Sequence, residues 1–232
     1  TGMGSSGSFT VALLTALHAF KKETASKKQL AEEAFYVEAE CAKQPTGKQD
    51  PFLGAFGGVT CLEIDRSGEV TVSPLKLGKN IQRELASSLL VFFTGIQRES
   101  FDILSEQVSS TRAGNAATLE SLHETKKIGY RIRDALTDGN LDQFGHLLDQ
   151  HWQNKKKRST NMSNTDIDRW YQMGRNAGAL GGKILGAGGG GFLMFYCPTE
   201  YRRKLRQLMA NEGLREMRFC IDNEGATILL NI

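Results

Sequence analysis

Thr1-Gly2-Met3-Gly4-Ser5-Ser6-Gly7-Ser8 opens the chain and leads directly into the apolar stretch from Phe9 to Phe20. Glycine permits a left-handed backbone and close approach to a ligand, and serine is a good helix N-cap. The pattern therefore predicts a helix that begins near Ser5 or Ser6. The first-turn N–H groups of such a helix have no intrahelical partner and favour a polyphosphate. The segment predicts a phosphate-binding loop, with a Gly/Ser linker joined to an amphipathic helix as the alternative.

The apolar residues of this first helix follow helical spacing, which predicts that they anchor it in a core. They are Phe9, Leu13, Leu14, Leu17 and Phe20. The stretch is too short and too rich in Ser and Thr to cross a membrane.

Composition limits the class of protein. The 232 residues include 29 Lys and Arg against 26 Asp and Glu, which gives no case for nucleic acid or a membrane as the main partner. The four cysteines are widely spaced and form no metal-ligand or disulfide pattern. Without a signal peptide or an apolar spanning run, we expect a cytoplasmic protein. The one basic run, residues 155–158, predicts a solvated helix end that could still meet a phosphorylated substrate.

Apolar periodicity predicts an α+β protein with a sheet and a helical layer. A second helix is expected from Ser26 to Ala42, and residues 100–177 are expected to be almost entirely helical. A further helix is predicted at 198–212. Strands are predicted at 59–64, 70–72, 89–93, 184–185, 192–196, 215–221 and 226–230.

A second glycine cluster, Gly186-Ala187-Gly188-Gly189-Gly190-Gly191-Phe192, lies between two predicted strands. Four consecutive glycines are costly in conformational entropy, so their presence indicates close backbone approach to a ligand or to another loop. A tight strand connection without a ligand is the alternative.

A third candidate functional segment is Gly47-Lys48-Gln49-Asp50-Pro51-Phe52, which follows Glu38 and Glu40 on the second helix. An Asp in a rigid Gly and Pro turn near a phosphate loop suits proton removal from a hydroxyl nucleophile, or binding of a cation. An exposed turn Asp without a function is the alternative.

These three segments, in this order, resemble the GHMP kinases, a family of sugar and small-molecule kinases. The first segment is similar to the phosphate loop of that family, and the second glycine cluster to the loop that supports it. Gly47-Lys48-Gln49-Asp50, Thr94-Gly95-Ile96-Gln97-Arg98 and Gly182-Lys183-Ile184-Leu185 look most like the D-glycero-D-manno-heptose 7-phosphate kinases. The resemblance covers the whole chain.

The resemblance implies roles for individual residues and implies ATP and Mg²⁺ as cofactors. The ATP phosphates would lie on Gly2, Met3, Gly4, Ser5, Ser6, Gly7 and Ser8. Magnesium would contact Ser6, with Ser5 as second choice, and Glu38, with Glu40 as the alternative. Asp50 would be the catalytic base that activates the sugar hydroxyl. The supporting loop would use Gly186, Gly188, Gly189, Gly190 and Gly191, and the substrate would contact Lys48, Gln49, Arg98 and Lys183.

The fold implied by the resemblance is the GHMP kinase fold. Residues 1–76 would be the remainder of a ribosomal protein S5 domain 2-like N-terminal domain, and residues 77–232 a ferredoxin-like C-terminal domain. The implied activity is transfer of the ATP γ-phosphate to the anomeric hydroxyl of D-glycero-D-manno-heptose 7-phosphate. A fucokinase or galactokinase-like enzyme, or an inactive truncated kinase, is the alternative. Family members have further residues upstream of the position of Thr1, so we expect a truncated chain, and a homodimer is possible.

Overall fold

The computed structural model describes residues 3–97 and 100–229. The chain forms two compact units. The first consists of Gly4–Lys76 and the segment from residue 221, and the second of Leu77–Cys220 together with Met3. The mixed helix-and-sheet class predicted from the sequence is confirmed.

The first unit contains three helices and one hairpin. Its elements are α1 (Ser5–Phe20), α2 (Lys27–Tyr36), a π-helical turn (Val37–Cys41), α3 (Gln49–Phe56), β1 (Thr60–Ile64) and β2 (Val70–Pro74). The Ser26 hydroxyl accepts a hydrogen bond from the Gln29 N–H and caps α2, as its position predicts. The two strands pair antiparallel, with Leu62 opposite Val72. A small core joins these elements and contains Val11, Ala31, Ala34, Phe52, Ala55 and Val70.

The predicted buried face of α1 is confirmed only for Leu14, which is partly buried and packs against the small core. Phe9 is 68% exposed and Phe20 is 85% exposed, whereas Gly7 and Val11 are buried. The reason is that α1 packs against α3 through its smallest residue, because only a glycine at position 7 permits that approach. The other four apolar side chains of the predicted face are therefore exposed; they are Phe9, Leu13, Leu17 and Phe20.

Residues 49–56 form helix α3, where the sequence predicted a rigid turn. Pro51 is the third helical residue, and proline is tolerated in a first turn because the N–H it lacks has no intrahelical acceptor there. The difference matters because Asp50 is thereby fixed in the first turn of a helix rather than in a loop.

The second unit is a four-stranded antiparallel sheet with helices. Its strands are β3 (Leu89–Phe93), β4 (Gly181–Ile184), β5 (Phe192–Tyr196) and β6 (Arg215–Met217), in the order β4-β5-β3-β6. Its helices are α4 (Lys79–Ser88), α5 (Ser100–Arg112), α6 (Ala116–Thr137), α7 (Leu141–Lys156), α8 (Thr165–Asn176) and α9 (Arg202–Asn211), with short 3₁₀ turns at Thr160–Met162 and Thr199–Tyr201. Trp152, Ile167 and Phe195 are fully buried in the core between sheet and helices.

The predicted strand pair near the C-terminus is wrong. Among the described residues of the two segments, Arg215–Met217 alone forms a strand, and it pairs with β3. Ala226 instead donates its N–H to the Gly54 carbonyl at 2.9 Å, within the first unit. Leu230 lies outside the described residues. The domain limits 1–76 and 77–232 stay a prediction, and the structure assigns the described residues 221–229 to the first unit.

None of the helices within residues 3–97 and 100–229 is long and apolar enough to cross a membrane.

Candidate active site

The phosphate-loop segment leads into the N-terminus of α1. Gly4 precedes the helix with a φ of 64°, a left-handed conformation that favours glycine, and its carbonyl accepts the Ser8 N–H at 3.0 Å. The side chains of Ser5, Ser6 and Ser8 are exposed. Gly2 lies outside the described residues, and Met3 is 43% exposed. The helix end thus presents backbone N–H groups and hydroxyls to the surface, as an anion site requires.

Asp50 lies directly against this loop. A Cβ added to Gly4 would be 3.1 Å from the Asp50 Cγ, and one added to Gly7 would be 2.9 Å from the Pro51 nitrogen. Because glycine occupies both positions, α1 and α3 approach closely enough to set the Asp50 carboxyl beside the start of α1. The two glycines therefore position a carboxylate in addition to forming the loop.

Glu38 belongs to the same group. It lies in the π-helical turn after α2 and is only 5% exposed. The Ser6 hydroxyl donates a hydrogen bond to Glu38 Oε1, and the Thr46 hydroxyl lies 3.4 Å from Oε2. Single π-helical turns occur frequently at functional sites because they redirect one side chain out of helical register. Ser6, Glu38 and Asp50, which the sequence places far apart, are thus brought together within the first unit.

Electrostatics in this group favours a cation. Burial raises the pKa of the Asp50 carboxyl above its ordinary value, and the nearby Glu38 charge raises it further. The Glu38 carboxylate and the Ser6 hydroxyl are hard oxygen ligands of the kind that Mg²⁺ binds, with remaining positions filled by water and phosphate. No cluster of three or more His, Cys, Asp or Glu that could hold a metal occurs among the described residues. The donor set therefore fits a magnesium ion that is bound jointly with a nucleotide.

Three of the other predicted ligands do not join this group. Lys48 Nζ contacts Glu32 Oε2 at 2.8 Å and the Gly68 carbonyl at 2.7 Å, which is a structural ion pair. Glu40 is exposed and pairs with Lys43. Gln49 begins α3 with an exposed side chain. Arg98 lies outside the described residues.

The second glycine cluster connects β4 to β5 in the second unit and rests on two neighbouring segments. The Gly189 N–H donates to the Met162 carbonyl at 2.9 Å, and the Gly191 N–H donates to the Ile96 carbonyl at 2.9 Å. A Cβ on Gly190 would lie 2.7 Å from the Ile96 carbonyl oxygen. The prediction of close backbone approach to another loop is therefore confirmed at this position.

Lys155 is a residue that sequence reasoning placed wrongly. The basic run at 155–158 predicted a solvated helix end, but Lys155 is only 7% exposed and donates to the Gly186 carbonyl at 2.6 Å. The burial of Lys155 could have been predicted from its spacing. It lies four residues after His151 on α7, so both residues are on the helix face that packs on the sheet. Lys183, predicted from the sequence as a substrate contact, lies on β4 just before the same glycine loop.

Comparison with known proteins adds to this description. Residues 1–58 match the family model described as GHMP kinases N terminal domain, and residues 132–213 match the model described as GHMP kinases C terminal. The chain is 29% identical over 214 residues to a D-glycero-alpha-D-manno-heptose 7-phosphate kinase of Campylobacter jejuni, covering 92% of this chain and 62% of that protein. It is 26% identical to an L-fucokinase/L-fucose-1-P guanylyltransferase of Bacteroides fragilis, covering 97% of this chain and 24% of that protein.

A solved structure shows the same fold. A D-glycero-D-manno-heptose 1-phosphate kinase from Bacteroides thetaiotaomicron superposes with a TM-score of 0.75 at 25% identity, over 97% of this chain and 62% of that one. The chain therefore spans 62% of the length of each of the two heptose kinases and 24% of the length of the fucokinase relative.

Proposed function

The chain belongs to the GHMP kinase family, whose two models together match more than half of it, and we propose that the protein is an ATP-dependent sugar kinase. The proposed acceptor is the anomeric hydroxyl of D-glycero-D-manno-heptose 7-phosphate. The observation that supports this most strongly is the grouping of Ser6, Glu38 and Asp50 at the N-terminus of α1.

Each residue of the group has a part in the proposed reaction. Asp50 accepts the proton of the sugar hydroxyl as that oxygen forms its bond to the γ-phosphorus and the bond to the bridging oxygen of ADP breaks. A carboxyl whose pKa is raised by burial is a better base than a solvated one, since catalysis is most efficient when the pKa approaches the working pH. The backbone N–H groups at the start of α1 hold phosphate oxygens.

Magnesium fits this site through Ser6 and Glu38. When bound, it neutralises charge on the nucleotide phosphates, which is the main requirement of phosphoryl transfer. The Ser6 hydroxyl, already directed at Glu38, orients that carboxylate toward the same side as the loop. Glu38 and Asp50 thereby divide two tasks, with one carboxylate for the cation and the other for the proton.

The choice of a heptose phosphate follows the relatives named above and the three short motifs around residues 47–50, 94–98 and 182–185. The names of those relatives differ on the phosphate, one being a 7-phosphate kinase and the other a 1-phosphate kinase. The fucokinase relative supports a second candidate, a kinase of an unphosphorylated sugar such as fucose.

ADP release in the presence of Mg-ATP tests the proposal. The purified protein is incubated with D-glycero-D-manno-heptose 7-phosphate, the unphosphorylated heptose, fucose, galactose or no sugar. We expect turnover with the heptose 7-phosphate, and product NMR should show the new phosphate on the anomeric oxygen. Turnover with fucose or galactose alone would replace the substrate assignment, and no turnover with any sugar would contradict the kinase assignment.

A further inference from the structure

Four basic groups of the second unit are held together by α7 and β4. His151 and Lys155 lie one turn apart on α7, Arg158 follows the end of that helix, and Lys183 lies on β4. Residues four apart share a helix face. The face in question packs on β4, so both side chains point toward the sheet.

Two contacts fix how β4 runs along α7. A Cβ on Gly181 would lie 2.0 Å from the Gly145 carbonyl oxygen, and the Gly186 carbonyl accepts Lys155 Nζ at 2.6 Å. Lys183 lies between Gly181 and Gly186 along the chain, and so between these two contact points. It shares a strand face with Gly181, because side chains two residues apart point the same way. The Lys183 side chain is therefore directed at the stretch of α7 that contains His151 and Lys155.

These groups have no anionic partner among the described residues. Within the described residues, Lys155 donates to a neutral carbonyl, and Arg158 donates to the hydroxyls of Ser121, at 3.0 Å, and Thr125. His151 has a buried Nδ1 without a hydrogen-bond partner in the described structure. Other basic residues of this unit are paired with carboxylates; they include Lys156 with Asp168, Arg169 with Glu212, and Arg206 with Glu216.

The pKa values show how unfavourable this arrangement is without an anion. Burial, followed by the charges of Lys183 and Arg158, lowers the pKa of Lys155 to about 7. Burial also lowers the pKa of Lys183, with Arg158 adding to the effect. Burial and three neighbouring cations lower the pKa of His151 to about 3. Buried charges are normally paired, so charging these basic groups together without an anion costs stability.

We propose that His151, Lys155, Arg158 and Lys183 form a binding site for a phosphomonoester, the phosphate group of a phosphorylated sugar. A dianionic phosphate offers three oxygens to these donors, and such charge-assisted hydrogen bonds are about twice as strong as neutral ones. As the phosphate of the substrate, this ligand rests on the function proposed above. As an anion site, the cluster stands on its own geometry.

The two sources of a phosphate group, substrate and nucleotide, are separable. The N-terminus of α1 has exposed hydroxyls and backbone N–H groups and is assigned to the nucleotide. A terminal monoester has more negative charge per phosphorus than the inner phosphates of ATP and needs cationic side chains. The basic cluster supplies these, so we assign it to the sugar phosphate.

The first test is direct binding of inorganic phosphate and mannose 6-phosphate to the purified protein, by calorimetry at constant ionic strength. Lys183→Met should weaken both about 10- to 100-fold, because a hydrogen bond to a charged group is removed. The exposed Lys157→Met is the matched control and should bind as the wild type does. Equal affinity of wild type and Lys183→Met, or no phosphate binding by either, would overturn the site.

Thermal unfolding without ligand separates binding from folding. Replacing an unpaired buried charge by an apolar side chain of similar volume is often neutral or stabilising, so Lys183→Met should keep or raise the unfolding temperature. Lys155→Met is the second variant in case the first does not fold. A lowered unfolding temperature together with unchanged phosphate affinity would assign the cluster a structural role and overturn the proposal.

Steady-state kinetics identifies the source of the phosphate. Lys183→Met should raise the KM for the sugar phosphate about 10- to 100-fold and leave the KM for ATP unchanged. A rise in the KM for ATP instead would overturn the assignment to the sugar. If phosphate binding requires Lys183 but no sugar phosphate is turned over, the anion site is supported and the proposed kinase reaction fails.

Discussion

At the scale of single residues, the site depends on where two carboxylates lie. Glu38 is nearly fully buried and receives the Ser6 hydroxyl, while Glu40, two residues later, is exposed. The sequence left Glu40 as an alternative because helical spacing does not decide between them. The π-helical turn distinguishes the two residues, because it directs the Glu38 side chain toward α1.

Glu38→Gln should lower kcat about 10²-fold or more, because one charged group that stabilises the transition state is lost. The control is Glu40→Gln, which should retain wild-type kinetics. The assay is ADP release over a range of magnesium concentrations, where the Glu38 variant should need more magnesium. Equal effects of the two substitutions would contradict the assignment of Glu38.

His18 gives the first unit a pH-dependent stability. Its two ring nitrogens lie 3.0 Å from Glu23 Oε2 and 2.8 Å from Glu33 Oε2, and the hydrogen bond with Glu33 is the main cause of its raised pKa. Because the pKa of His18 is raised in the folded state, its ion pairs with Glu23 and Glu33 stabilise the fold fully below pH 6.5. This stabilisation is lost as the pH rises through the pKa of the folded state.

We therefore expect His18→Gln to destabilise the protein more at pH 5.5 than at pH 8.5. Urea unfolding followed by circular dichroism at the two pH values measures the difference. The control is the same change in a Glu33→Gln background, where the pH dependence should shrink because the main partner of His18 is gone. A loss of stability equal at both pH values would contradict the ion-pair explanation.

At the scale of elements, the sequence predicted most helices and strands because apolar periodicity and caps are local signals. Asn115, Asn140 and Asn164 each cap a helix through a side-chain oxygen. One error occurred where a distant neighbour decides the outcome. The buried face of α1 follows from Gly7 meeting α3, whereas the helix at 49–56 was missed for a local reason, since Pro51 lies in its first turn, where proline is tolerated. The contact of Gly7 with α3 is not visible in local periodicity.

The glycine loop between β4 and β5 provides a steric prediction. Gly190→Ala should destabilise the protein by about 1 to 3 kcal/mol, because the new Cβ meets the Ile96 carbonyl oxygen at 2.7 Å and a backbone segment must shift. Gly129→Ala on the exposed face of α6 is the control, where no atom lies within 4 Å of the new Cβ. That change should stabilise by about 0.5 to 1 kcal/mol, because alanine favours helix.

Thermal unfolding of the two alanine variants measures both effects. A Gly190→Ala protein as stable as the wild type would show that the loop tolerates a side chain and that the close approach to Ile96 is not a constraint.

At the scale of the whole molecule, the start of α1 and both carboxylates belong to the first unit, and the glycine loop, the basic cluster and Met3 belong to the second. The domain limit between residues 76 and 77 stays a prediction, and the described residues also divide into two units there. The sequence did not predict that residues 221–229 return to the first unit, because the contact of Ala226 with Gly54 joins positions far apart in sequence. The burial of Lys155 was also missed, since it depends on the packing of α7 against β4.

The central claim is that Asp50 removes the proton of the sugar hydroxyl, and its most direct test is the kcat of Asp50→Asn with Mg-ATP and D-glycero-D-manno-heptose 7-phosphate. Asp166→Asn is the control, since it too changes an aspartate in a helix first turn. We predict a loss of about 10² to 10⁴ in kcat for Asp50→Asn, with unchanged thermal stability, and no change for the control. Turnover by Asp50→Asn at the wild-type rate would contradict the claim.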